Sequence, residues 1–203
     1  MARAQIGPRA GSKVSSIGHK TLQLTSRKGK QVLPAKEMVH PKSEALLIVE
    51  DSPSFGWFKP TEEGFVALYQ APVLMQVKWV KRGIGARTAK VILSQLRVPT
   101  GEVLIALQIP VATVNRKAKT DAPLSAAEGE RVLGVGRLLG QLQTMVRESG
   151  DPEGFDASAW LSAWMSAPVP ALGGARPLDL LDTMTGQALV SQVLAQMQSG
   201  AYA

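Results

Sequence analysis

Residues 124–146 read LSAAEGERVLGVGRLLGQLQTMV. Ser125 and Glu128 have the S-x-x-E spacing of a capping box, in which the hydroxyl takes an orphan backbone amide and the carboxylate reaches back to the cap. Behind them Val132, Val135, Leu138, Leu139, Leu142 and Val146 keep the α-helical rhythm, which predicts an amphipathic helix of about five turns. Gly134, Gly136 and Gly140 lie inside it. Their spacing does not fit G-x-G-x-x-G and no strand precedes them, so close helix–helix packing explains them better than a phosphate loop. Gly150-Asp151-Pro152 closes the helix.

Helical patterns continue in both directions. Upstream, Thr61 followed by Glu62 and Glu63 marks a helix start, and Pro72 breaks that helix. Val73, Val77, Val80 and Ile84 set the next apolar stripe; Ala89, Ile92, Leu93 and Leu96 set another, ending near Pro99. Thr100-Gly101-Glu102 opens a short helix carrying Val103, Leu104 and Leu107. Gln108-Ile109-Pro110 is a turn, and residues 111–119 form a further helix. Asp121-Ala122-Pro123-Leu124 reads as a linker.

Downstream, Asp151, Glu153 and Asp156 place negative charge before a helix bearing Trp160, Trp164 and Met165. Those three residues read as core, with a partner interface as the sharper alternative for the tryptophans. Leu172-Gly173-Gly174 is a turn, Pro177 starts a short helix with Leu178, Leu180 and Leu181, and a last helix carries Leu189, Val190, Val193, Leu194 and Met197 up to Gly200. The run Ala-Leu-Leu-Ile-Val at 45–49 is too short to assign as strand or docking segment. The expected class is all-α. Its parts are a disordered basic arm (1–42), an N-terminal segment with a helix-turn-helix domain (43–120), and a small C-terminal helical bundle (121–203).

The chain has no cysteine among its 203 residues, which excludes disulfide scaffolds, thiol nucleophiles, thiolate zinc sites and iron–sulfur clusters. Its two histidines, His19 and His40, lie in the arm, where nothing preorganises them for catalysis or metal binding. No catalytic residue, metal ligand or cofactor is assigned, and an enzyme is not expected. No run reaches about 18 apolar residues and the N-terminus lacks an apolar signal core, so a cytoplasmic protein without a membrane span is expected. The formal charge of +7 is laid out in blocks. Residues 1–42 and 75–120 each hold nine Lys/Arg against one acid, whereas 43–74 hold one base against five acids and 121–203 hold four against nine. A basic block between acidic ones points to a polyanion-binding face.

That block contains the strongest functional pattern. Within residues 88–119 two short amphipathic helices are joined by a tight turn, as a helix-turn-helix requires. The first braces the second through Val103, Leu104 and Leu107. In the second, Val111 and Val114 face the core, and Thr113, Asn115, Arg116 and Lys117 face outward. Thr100 and Lys119 complete the DNA-facing set. Asn115 can pair with adenine N6/N7 and Arg116 with guanine O6/N7. The arm reads as a solvated tail or, more sharply, as a source of salt-dependent phosphate contacts.

The C-terminal run Trp160-Leu161, then Pro170-Ala171-Leu172-Gly173-Gly174-Ala175-Arg176-Pro177-Leu178-Asp179-Leu180-Leu181, Gly186, Val190, Leu194 and Gly200-Ala201-Tyr202-Ala203 resembles the toxin-binding domain of the Xre/MbcA/ParS antitoxins. Residues 85–119 resemble the Xre-like helix-turn-helix that precedes it. Where recognition helices of that family often read T-L-x-R-R, this chain has Thr113-Val114-Asn115-Arg116-Lys117, which leaves the operator sequence open.

The resemblance implies a type II toxin–antitoxin system whose partner is a RES-domain toxin that consumes NAD or transfers ADP-ribose from it. The antitoxin would occlude the toxin's active site, bind operator DNA to repress its own operon, and work as a homodimer within a toxin–antitoxin hetero-oligomer. The implied toxin-binding set is Trp160, Leu172, Gly173, Gly174, Pro177, Leu180, Gly186, Gly200, Ala201, Tyr202 and Ala203. The short apolar tail beyond Gly200 is expected to enter the toxin cleft. The rival reading is a helix-turn-helix transcription regulator with no toxin partner.

Overall fold

Eight α-helices carry the described residues, 58–150 and 153–198, of the computed structural model. They are α1 (Glu62–Gln70), α2 (Val73–Arg82), α3 (Ala86–Leu93), α4 (Thr100–Ala106), α5 (Val111–Thr120), α6 (Ala126–Glu148), α7 (Ala157–Ser166) and α8 (Met184–Gln198), with 3₁₀ turns at Pro170–Leu172 and Pro177–Leu180. Among the described residues there is no strand, only an antiparallel bridge between Gly85 and Pro123. The all-α expectation holds. No helix among them is long and apolar enough to cross a membrane. The arm at 1–42, the run at 45–49, Asp151 and the segment Gly200–Ala203 lie outside the described residues.

Helix α6 starts where the sequence places it. The Glu128 amide donates to Ser125 Oγ at 3.3 Å and the Ser125 amide to Glu128 Oε2 at 2.8 Å, closing the capping box. The helix is not amphipathic, however: from Val132 to Thr144 every residue except Arg137 is buried. Helices α1, α2, α3, α7 and α8 all contact it, so it is the central spine, buried on all sides as an enclosed helix must be. The glycines permit this. A Cβ at Gly140 would stand 2.0 Å from the Phe65 carbonyl oxygen of α1, and one at Gly136 2.8 Å from Leu68 Cδ2. Helix α8 docks through polar contacts: Gln141 Nε2 donates to the Ser191 carbonyl at 2.9 Å, and Ser191 Oγ donates back to Gln141 Oε1 at 2.6 Å.

Two further expectations change. In α2 the buried residues are Met75 and Trp79, while Val73 is 75% and Val77 42% exposed. The larger thioether and indole remove more apolar area from water than two valines do, so they decide which face turns inward. Residues 121–124 are not a free linker. Leu124 is buried, its amide donates to the Ile84 carbonyl at 2.9 Å, and the Ala86 amide donates to the Ala122 carbonyl at 3.1 Å. One apolar cluster runs across position 120 and contains Val103, Leu104 and Val114 together with Leu139, Leu178 and Leu181. All described residues belong to one compact unit, Pro41–Ala203.

Candidate functional site

Helices α4 and α5 meet at a turn that ends α4 in a Schellman arrangement. The Ile109 amide donates to the Leu104 carbonyl at 2.8 Å and the Gln108 amide to the Ile105 carbonyl at 2.9 Å. Gln108 occupies the left-handed position, with φ 52°, where glycine is usual. Its side chain donates to Asp182 Oδ2 at 2.9 Å. Val103, Leu104 and Leu107 are buried beneath α4, and Val114 beneath α5. Val111 is half-buried and packs on the same core.

Helix α5 is fixed by α3. The Arg87 guanidinium donates from Nε to the Ala118 carbonyl at 2.7 Å and from Nη2 to the Lys119 carbonyl at 2.8 Å. A cation there matches the negative end of the helix dipole. Asp121, left-handed at φ 53°, accepts the Arg87 amide at 3.0 Å and so covers the start of α3. One turn along, Lys90 Nζ donates to Asn115 Oδ1 at 3.1 Å.

On this frame Asn115, Arg116 and Lys119 are exposed, Thr113 is half-buried, and Thr100 is half-buried at the start of α4. Lys117 departs from the outward position expected of it. Its ammonium lies 3.6 Å from Glu128 Oε2 and its side chain is only 24% exposed. Burial pushes the Glu128 carboxyl up, but the bonds from Ser125 and the charge of Lys117 outweigh this and hold it below the ordinary glutamate range.

In the C-terminal half, Asp156 caps α7 by accepting the Ala159 amide at 2.8 Å. That bond, joined by the neighbouring Arg97 guanidinium, holds its carboxyl below the usual aspartate range. Leu161, Ser162 and Met165 are the buried residues of α7. The tryptophans are half-buried at its edge rather than central, with rings stacked at 6.0 Å and 14°, and Phe155 tilts against Trp160 at 6.4 Å.

The following loop closes on itself. The Val169 amide donates to the Ala175 carbonyl and the Gly174 amide to the Val169 carbonyl, each at 3.1 Å. Gly173 and Gly174 have φ of 66° and 83°, and a Cβ on either would meet nothing within 4 Å. They are therefore required by backbone sign and not by crowding. Arg176 then grips Asp179 with two bonds, at 2.9 and 2.7 Å.

Of the residues expected on this surface, Leu172 and Leu180 are half-buried and Gly173 and Gly174 exposed. Pro177 is buried, and a Cβ at Gly186 would stand 1.9 Å from the Leu180 carbonyl oxygen, so these two shape the loop from within. Sequence reasoning missed Arg87, Lys90 and Asp121. Asp121, directly after a helix end rich in lysines, carries a readable stop signal; the two bases act across more than twenty positions and carry none. Among the described residues no group of three His, Cys, Asp or Glu is placed to hold a metal ion.

Comparison with known proteins agrees with this layout. Residues 151–200 match the antitoxin Xre/MbcA/ParS C-terminal toxin-binding domain, and residues 76–137 match the antitoxin Xre-like helix-turn-helix domain, running past position 120 into α6. A curated relative from Sphingobium sp. (strain YBL2), a "Prs ADP-ribosylating antitoxin", is 50% identical over 139 residues, which cover 68% of this chain and 87% of the relative. An "Antitoxin Xre" of Yersinia enterocolitica serotype O:8 / biotype 1B (strain NCTC 13174 / 8081) is 28% identical over 105 residues, covering 52% of this chain and 66% of the relative. With a spine-centred helical unit that carries both matched regions, the chain belongs to the Xre/MbcA/ParS antitoxin family and is an antitoxin of a toxin–antitoxin system.

Proposed function

We propose that this antitoxin neutralises a RES-domain toxin that consumes NAD or transfers ADP-ribose, by occluding its active site, and that it binds operator DNA through α5 to repress its own operon. The observation that carries the toxin half is the Gly173–Gly174 turn. Two exposed left-handed glycines with open space around them give a loop its shape without serving the core, as a recognition loop needs. The ADP-ribosylation in the name of the Sphingobium relative supports the toxin class. Trp160, Leu172 and Leu180 border the contact, Gly173 and Gly174 form it, and Pro177 and Gly186 hold its shape. Residues Gly200, Ala201, Tyr202 and Ala203 enter the cleft, where Tyr202 offers a rigid ring and one hydroxyl.

For DNA, α5 lays Asn115, Arg116 and Lys119 toward the major groove, with Thr113 and Thr100 at its margin. Lys117, paired with Glu128, serves α5 mainly as an anchor. A homodimer presents two such helices to paired half-sites. The separate charge signs of the two regions suit two different partners.

The test is joint. The antitoxin is purified with the product of the neighbouring gene, and NAD consumption and operator binding are measured on the same preparation. Inhibition that is lost on deleting residues 201–203, with operator binding intact, supports the cleft role. Full inhibition by the shortened protein excludes it, and failure to copurify counts against a RES-domain protein as its toxin.

A further inference from the structure

Lys90 donates from α3 to the side-chain amide of Asn115 on α5. An asparagine amide has one accepting oxygen and one donating NH₂ group, and bidentate reading of adenine needs both, the oxygen taking N6–H and the NH₂ giving to N7. A lysine ammonium has only donors. The Asn115 atom 3.1 Å from Lys90 Nζ is therefore the oxygen; one of its two lone pairs is taken, and the ammonium beside it repels a further donor such as adenine N6–H.

The placement of Lys90 is not a matter of one loose surface chain. Arg87, three residues earlier on α3, is bonded to the carbonyls of Ala118 and Lys119 on α5, and its amide is bonded to Asp121. These contacts fix the register of the two helices. Lys90, one turn along α3, then stands over Asn115, one turn back along α5, and is itself half-buried.

We propose that Lys90 is a positioning residue for base recognition, holding the Asn115 amide so that it presents its NH₂ in preference to its oxygen and selects guanine, whose O6 and N7 are two adjacent acceptors, over adenine. The proposal rests on the reading of α5 as the DNA-binding helix. It reverses the base that Asn115 would choose if its amide were free.

The experiment is selection from a pool of duplexes with a randomised core, using the full-length protein. The position read by Asn115 is identified as the one whose preference disappears in Asn115→Ala. In the parent this position is expected to be guanine. In Lys90→Met the freed oxygen allows the adenine pair, and the guanine-to-adenine ratio is expected to fall about tenfold or more, while Lys90→Arg, which keeps a donor, retains guanine. A lost charge alone weakens every sequence alike and leaves this ratio unmoved. Adenine at that position in the parent, or an unchanged ratio in Lys90→Met, overturns the proposal with the DNA reading left standing. If the parent selects no sequence and Arg116→Ala binds duplex as the parent does, the reading of α5 itself fails and the proposal with it.

Discussion

Helix α5 and the turn at Gly173–Gly174 are both exposed, yet they are held in opposite ways. Helix α5 is clamped from outside: Arg87 on its last carbonyls, Glu128 against Lys117, Lys90 on Asn115, and Val114 driven into the core. The turn is held from inside, by backbone bonds between 169 and 175 and by the left-handed glycines themselves. On the proposed reading, a surface that reads bases must keep its side chains in register with a groove, so its partners lie on other helices. A surface that seats in a protein cleft needs a fixed backbone outline, which a self-closed loop supplies. Both draw on the one apolar core that α6 runs through, and that shared footing is where the comparison is easiest to break.

The largest effect is expected at Gly140. Alanine there meets the backbone of Phe65, which cannot swing aside as a side chain would. We expect Gly140→Ala to lose about 3 kcal/mol of stability in denaturant unfolding, and to damage DNA and toxin binding together. A variant that unfolds like the parent shows that α1 can step back from the spine.

Next is Asp121→Ala, which removes the acceptor over the start of α3 and leaves an alanine in a left-handed site. A cost of about 1–2 kcal/mol is expected. Operator affinity should fall while toxin inhibition is retained at temperatures where the protein remains folded. Equal losses in both assays would mean that α5 is not independently clamped.

Gly173→Ala probes the other surface. At φ 66° with open space around it, alanine costs only its left-handed backbone, about 1 kcal/mol, with toxin affinity reduced and operator binding unchanged. Loss of operator binding would tie the loop to DNA.

The smallest effect concerns pH. Because the folded Glu128 carboxyl is held below its unfolded value, the stability it contributes is complete above the ordinary glutamate value of about 4.3 and fades as pH falls through the depressed folded value. The difference in unfolding free energy between the parent and Glu128→Gln, about 1 kcal/mol at neutral pH, should shrink toward zero in acid. A difference that persists in acid would assign it to neutral hydrogen bonding and packing at Glu128 and not to its charge.

What could be read from sequence divides along the same line as the two surfaces. The capping box of α6, the glycines pressed against α1, the helix-turn-helix and the Gly173–Gly174 turn are local patterns, with causes within a few residues. The clamp on α5 is not local. Arg87 and Lys90 reach residues far along the chain, and Glu128 serves the capping box and Lys117 at once, so Lys117 read as an outward base. Residues 121–124 looked like a linker because Asp-Ala-Pro is turn chemistry, and only the folded chain shows Leu124 inside and Asp121 over α3. In α2 the valine period competed with the larger Met75 and Trp79, and burial went to the larger pair.

The most direct test of two separable surfaces on one core is Arg116→Ala, assayed for operator binding and for inhibition of toxin NAD consumption on the same folded preparation. Arg116 is exposed on α5. We expect operator affinity to fall by about 1–3 kcal/mol, roughly fivefold to 150-fold, with toxin inhibition equal to that of the parent. Unchanged operator binding, or a parallel loss of both activities, would contradict the account.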